Sequence, residues 1–208
     1  MATVCGTRSI LARAADPGAA PGGGRLPREF YERSTLRVAR DLLGKVLVLR
    51  AAGTTKTARI VEVEAYLGAR DPASHAYRGL TPRTAPMFGP PGRSYVYFVY
   101  GMYHCLNVVT ERDGVPGAVL LRGAEPLAGF ERLGPRALAG PGKLARAFGL
   151  TTTHTNLDLI TSSLSIRDAP AIPQSRVVRA VRVGLNQHAT TGKRWRLYVR
   201  GSSGVSRP

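Results

Sequence analysis

Runs rich in β-branched and aromatic residues crowd together in this 208-residue chain: KVLVLR, TARIVEVEAY, SYVYFVY, YHCLNVV and AVLLRGAEP. Most of the gaps between them hold no helix. Parallel strands need a crossover of a dozen or more residues, usually helical, so close succession points to antiparallel pairing. AAGTTK reads as the turn between the first two strands, and Gly101-Met102 as a tight bend joining SYVYFVY to YHCLNVV. LSIRD, VVRAVRVGL and WRLYVRG supply later strands. Helical patterns are expected from Pro27 to Leu43, over EPLAGFERLG, and over GPGKLARAFGL. Residues 69–93, rich in Gly, Pro and Arg, read as loop. The expected fold class is α+β, one mixed domain with a largely antiparallel sheet.

The length fits one domain with a tail, and 43% hydrophobic content excludes wholesale disorder. The tail is expected over residues 1–26, with PGAAPGGG as its flexible stretch, leaving 27–208 as the domain. Residues 1–26 lack the apolar region of a secretory signal. Thirty Lys+Arg stand against 13 Asp+Glu, a formal net charge of +17. Such a surface suits a polyanion, with nucleic acid first among the candidates. No apolar run is long enough to span a bilayer. The two cysteines, Cys5 and Cys105, form no CxxC pair, which argues against a cysteine-based metal site and a disulfide framework.

Within this basic chain, RIVEVEAYLG poses a problem. Alternation in a strand puts Glu62, Glu64 and Tyr66 on one face and Val61, Val63 and Ala65 on the other. A carboxylate on a phosphate-binding surface weakens binding unless arginine masks it or it performs chemistry. His75, Arg78 and Arg83 follow in the next loop and bring acid–base and phosphate-contact types nearby. Tyr95, Tyr97, Tyr100 and Tyr103 cluster in the next two strands. Tyr100, at the bend, has no core of its own to enter, and a base stack would accept it. Asn107 sits in an apolar run, where its amide must find partners. Gly140-Pro141-Gly142-Lys143 opens a helix whose free N–H groups suit a phosphate.

FYERSTLRVARDLLGKVLV, IVEVEAYLGARDPASHAYRG, TPRTAPMFGPPGRSYVYFVYGMYHCLNVV, AVLLRGAEPL, GPGKLARAFGL and WRLYVRGSSGVSR together resemble the alkyladenine (3-methyladenine) DNA glycosylase family. The resemblance spans roughly Pro27 to Arg207. It implies a curved sheet with surrounding helices and a protruding β-hairpin. It implies a DNA repair enzyme that flips out alkylated or deaminated purines and hydrolyses the N-glycosidic bond to leave an abasic site. Glu64 is then the general base and Arg122 the arginine that places it and its water. Tyr66, His75 and Tyr97 wall the base pocket, and Asn107 crowds the exocyclic amine of guanine. Tyr100 enters the duplex, with Met102, Arg83, Lys143 and Arg182 as further DNA contacts. Glu62 takes a structural role. Double-stranded DNA with a damaged purine is the expected partner of a monomer. No metal, cofactor or membrane is expected. The compartment would be cytoplasm or nucleoid in a bacterium, nucleus or organelle in a eukaryote.

From the residues alone, two other readings stand beside this one. A metal-dependent nuclease could use Glu62, Glu64, Asp71 and His75. A binding module could hold nucleic acid through arginines and stacked tyrosines without chemistry.

Overall fold

A computed structural model of the chain describes residues 23–51, 53–185 and 192–208. Three helices, α1 (Arg28–Tyr31), α2 (Thr35–Leu42) and α3 (Pro141–Phe148), accompany eight strands. These are β1 (Val46–Ala51), β2 (Thr54–Tyr66), β3 (Ser94–Val99), β4 (Tyr103–Val109), β5 (Ala118–Ala128), β6 (Leu164–Arg167), β7 (Val177–Ala180) and β8 (Arg196–Val199). Every pairing is antiparallel, and the strands form one curled sheet in the order β3-β4-β5-β2-β1-β6, with β8 joining β2 to β7. The α+β single-domain expectation holds. Among the described residues, no helix is long and apolar enough to cross a membrane.

The 13-residue β2 is the axis of the sheet. Its first half pairs with β1, its second half with β8, and β5 runs along nearly its whole length. Alternation along β2 sends Val61, Val63 and Ala65 into the main core, with Leu121 of β5, Val38 and Leu42 of α2, and Leu144 and Phe148 of α3. Glu62 and Glu64 point the other way, yet both are fully buried. The β2–β5 ladder is irregular there. Ile60 faces Ala124 and Val63 faces Leu121 in one register, while Glu62 faces Gly123, leaving Val61 and Arg122 out of the paired positions. Such bulges re-aim side chains beside functional sites.

Two helical expectations fail for physical reasons. The segment 27–43 is two helices, broken where Ser34 takes an extended conformation. The Arg33 side chain donates to the Phe30 carbonyl (2.8 Å). Glu111, from the turn after β4, accepts from the Thr35 backbone and hydroxyl, both at 2.7 Å, and starts a second helix. EPLAGFERLG is not helical. Glu125 to Ala128 continue β5 against β2, so long-range pairing overrides local propensity. Residues 69–93 form a loop with short 3-10 turns. Residues 23–26, expected in the tail, join the fold: Arg25 bridges to Arg167, and Leu26 lies in the core. The rest of the expected tail, including Cys5, lies outside the described residues.

Glu111 satisfies two groups on a buried helix start, so Glu111→Ala should cost about 1–3 kcal/mol. Urea unfolding checks this, and an unchanged midpoint would contradict the capping role.

Candidate active site

A cavity of about 310 Å³ opens between the sheet and the loop after β2. Tyr66 at the end of β2, His75 from the loop, Tyr95 and Tyr97 on β3, Asn107 on β4 and Arg122 on β5 line it. The aromatic wall is mutually braced. The His75 and Tyr97 rings meet edge to face at 4.5 Å, and His75 Nδ1 lies 3.1 Å from the Tyr95 hydroxyl. Burial, then the Arg83 charge, lowers the His75 pKa below the ordinary imidazole value. The Asn107 amide nitrogen donates to the Tyr95 carbonyl at 3.1 Å, which turns the side chain along the cavity wall.

Glu64 lies directly behind this wall, and its own surface is covered. Three groups that line the cavity hold its carboxylate. The Tyr66 hydroxyl donates to Oε2 (2.8 Å), the Val183 N–H donates to Oε1 (2.8 Å), and Arg122 Nη1 sits 3.4 Å from Oε1. Burial raises the Glu64 pKa; Arg122, Val183 and Tyr66 oppose that rise, and Glu62 adds to it. Burial and then the Glu64 charge push the Tyr66 phenol far above its usual range, so it stays a donor.

Glu62 is spent on structure. Arg122 Nε (3.2 Å), Arg196 Nη1 (2.9 Å) and the Ser206 hydroxyl (3.0 Å) converge on Oε1, and the Ser206 N–H takes Oε2 (2.6 Å). Asp71 gives both oxygens to Arg182, at 2.6 and 2.7 Å. The nuclease reading needed these carboxylates free and gathered with His75. They are instead occupied, Glu62 by Arg122, Arg196 and Ser206 and Asp71 by Arg182, and among the described residues no group of three His, Cys, Asp or Glu side chains is placed to hold a cation.

Arg182 does not sit where a DNA-contacting side chain would. It is buried, bound to Asp71 and the Ala65 carbonyl, and packed against the rings of Tyr66 (4.6 Å) and Trp195 (5.2 Å). It braces the pocket from behind. Tyr100 and Met102 are the opposite case, 76% and 64% exposed at the tip of the β3–β4 hairpin. Tyr100 and Gly101 take successive positive φ values, 54° and 66°. A bulky residue in that region marks a constrained turn. Arg83 and Lys143 are exposed, Arg83 with its guanidinium 6.0 Å from the Tyr97 ring. Sequence reasoning missed Val183, Arg196 and Ser206. Arg196 left a trace, as an arginine inside the apolar run WRLYV. A backbone N–H such as that of Val183 leaves none.

A model of the methylpurine-DNA glycosylase (MPG) family matches residues 29–203. The chain belongs to this family. Three relatives each cover 88% of the chain and carry the name "Putative 3-methyladenine DNA glycosylase". The protein of Anaeromyxobacter dehalogenans (strain 2CP-C) is 51% identical over 87% of its own length. That of Myxococcus xanthus (strain DK1622) is 48% identical over 93%, and that of Methanocella arvoryzae (strain DSM 22066 / NBRC 105507 / MRE50) 46% over 96%. The chain is therefore a DNA N-glycosylase, a DNA repair enzyme with DNA as its substrate.

In this glycosylase the raised Glu64 pKa has a signed consequence. A carboxyl with a folded pKa above its unfolded value favours folding at acid pH, and that contribution is lost as pH rises through the folded value. The ionised form of Glu64 is therefore the one that the fold favours less. The stability of Glu64→Gln relative to the parent should therefore rise as pH climbs above the ordinary carboxylate range. A deficit that grows with pH, read by calorimetry, would contradict this.

Proposed function

We propose that this enzyme removes alkylated and deaminated purines (3-methyladenine, 7-methylguanine, hypoxanthine and etheno-adenine) from double-stranded DNA by hydrolysis, with Glu64 as the general base. The observation that carries the reading is the seat of the Glu64 carboxylate. The three groups that hold it also line an aromatic cavity wide enough for a base.

A stacked nucleotide keeps its anomeric carbon out of reach, so the damaged nucleotide must first swing out. This costs a few kcal/mol, less where the base is damaged or mispaired. Tyr100, exposed at the hairpin tip, fills the vacated stack, with Met102 beside it. Arg83 and Lys143 contact phosphates. Lys143 lies in the first turn of α3, where free N–H groups add to its charge. An alkylated purine carries positive charge on its ring, and the faces of Tyr66 and Tyr97 stabilise it by roughly 0.5–2 kcal/mol. His75 closes the wall, and Asn107 opposes the exocyclic amine of guanine.

In the chemical step the water oxygen bonds to C1′ as the bond from C1′ to the base nitrogen breaks. The water's proton passes to Glu64, and the bond pair leaves with the base. A cationic base departs neutral and needs no acid, whereas hypoxanthine must also gain a proton. Arg122 orients the carboxylate, and the carboxylate charge stabilises the oxocarbenium-like sugar. The product is an abasic site in an uncut strand.

Glu64→Gln should slow release of methylated purines from methylated duplex by about 10²–10⁴-fold while duplex binding persists. EDTA should leave the parent rate unchanged. Undiminished release by the variant would remove Glu64 from the mechanism.

A further inference from the structure

The residues after β8 form a strap over β5. The Ser202 hydroxyl donates to Glu125 Oε1 (2.6 Å), Arg136 donates to the carbonyls of Ser203 and Val205 (both 3.3 Å), and Val205 is buried in the main core. The strap lies so close to the sheet that neither facing glycine could carry a side chain. A Cβ on Gly123 would fall 2.2 Å from the Gly204 carbonyl, and one on Gly204 would fall 2.5 Å from the Ala124 carbonyl. This approach brings Ser206 onto the buried Glu62 carboxylate and Arg122.

Each nitrogen of the Arg122 guanidinium has its own partner. Nε meets Glu62 (3.2 Å), Nη2 donates to the Ser206 hydroxyl (3.2 Å), and Nη1 is left facing Glu64 (3.4 Å). The Ser206 hydroxyl itself donates to Glu62 Oε1 (3.0 Å), and the Ser206 N–H donates to Oε2 (2.6 Å). Arg196 anchors the far end, donating to both Glu62 and the Arg207 carbonyl. Without the Ser206 oxygen, Nη2 has no partner in this set. The guanidinium can then rotate toward Glu62, which already holds Nε, and away from Glu64.

We propose that Ser206 is a positioning residue for base release: its hydroxyl fixes the plane of Arg122 so that Nη1 faces Glu64. The inference rests on Glu64 and Arg122 acting as described above. The charged and titratable groups around Glu64 are Glu62 and Tyr66 on β2, Arg122 on β5, Tyr97 on β3, Cys105 on β4 and Arg182 before Val183. Of these, Ser206 holds two: Glu62, whose bond to the Ser206 N–H an alanine would keep, and Arg122, the one cation among them that faces Glu64 directly. Loosening it withdraws positive charge from Glu64, so the carboxylate ionises at higher pH.

The test is single-turnover release of methylated purines from methylated duplex, followed across pH with the full chain. Ser206→Ala should slow release at neutral pH by about tenfold, the scale of one hydrogen bond to a charged group. It should also move the acid limb of the profile to higher pH, and Ser206→Thr should restore both. A limb and rate unmoved in Ser206→Ala, whatever its melting temperature, would overturn the proposal. Should Ser206→Ala be unfolded at the assay temperature, Arg136→Ala, which frees the strap upstream, must show the same shift at smaller amplitude; an unmoved limb there overturns it equally. Glu64→Gln separates the layers: if it keeps the parent's rate and limb, the reading of Glu64 has failed rather than that of Ser206.

Discussion

Two carboxylates two residues apart on a central strand, both cut off from water, must be met by opposite charge. An ionised carboxylate in the interior costs several kcal/mol unless it is paired and hydrogen-bonded. Much of the sheet around β2 is arranged to meet that demand. Arg122 comes from an irregular point on β5, Arg196 from β8, and the strap after β8 adds Ser206. On stability grounds an apolar cluster of similar volume would serve as well or better. A charged one repays its cost where a carboxylate has to be ready beside a reacting bond.

The two glutamates illustrate how environment divides like residues into unlike roles. Glu62 receives four hydrogen bonds from groups that face away from the cavity, apart from Arg122. Glu64 is held by groups that all line the cavity, and its pKa is raised by burial. The first is a scaffold for the arginines. The second is the carboxylate proposed above as the general base. Arg182 does for Tyr66 what Glu62 does for Arg122, holding a pocket residue from outside the pocket.

How much of this could be read from the sequence depends on the range of the interaction. Period-two alternation in RIVEVEAY is local and strong, so the opposed faces of β2 were legible, as was the hairpin bend at Gly101. The single helix expected over 27–43 was not, because Glu111, distant in sequence, starts a new helix at Thr35. EPLAGFERLG carries a helical pattern that pairing with β2 overrides. Arg182 in a basic chain reads as surface charge; only the fold reveals Asp71 against it. Ser206 and the Val183 N–H carry no compositional mark at all. Their roles exist only once strap and loop have folded back on β2.

In the free protein the Tyr66 hydroxyl covers one oxygen of Glu64, and the carboxylate has no surface of its own. Catalysis by this group therefore requires that a water reach it once a nucleotide occupies the cavity. A crystal structure of the enzyme on duplex DNA bearing a non-cleavable analogue of a damaged purine nucleotide measures this directly. The expected result is an ordered water within about 3 Å of a Glu64 oxygen, on the far side of C1′ from the base. A carboxylate still sealed behind Tyr66, with no solvent oxygen between it and the anomeric carbon, would contradict the assignment.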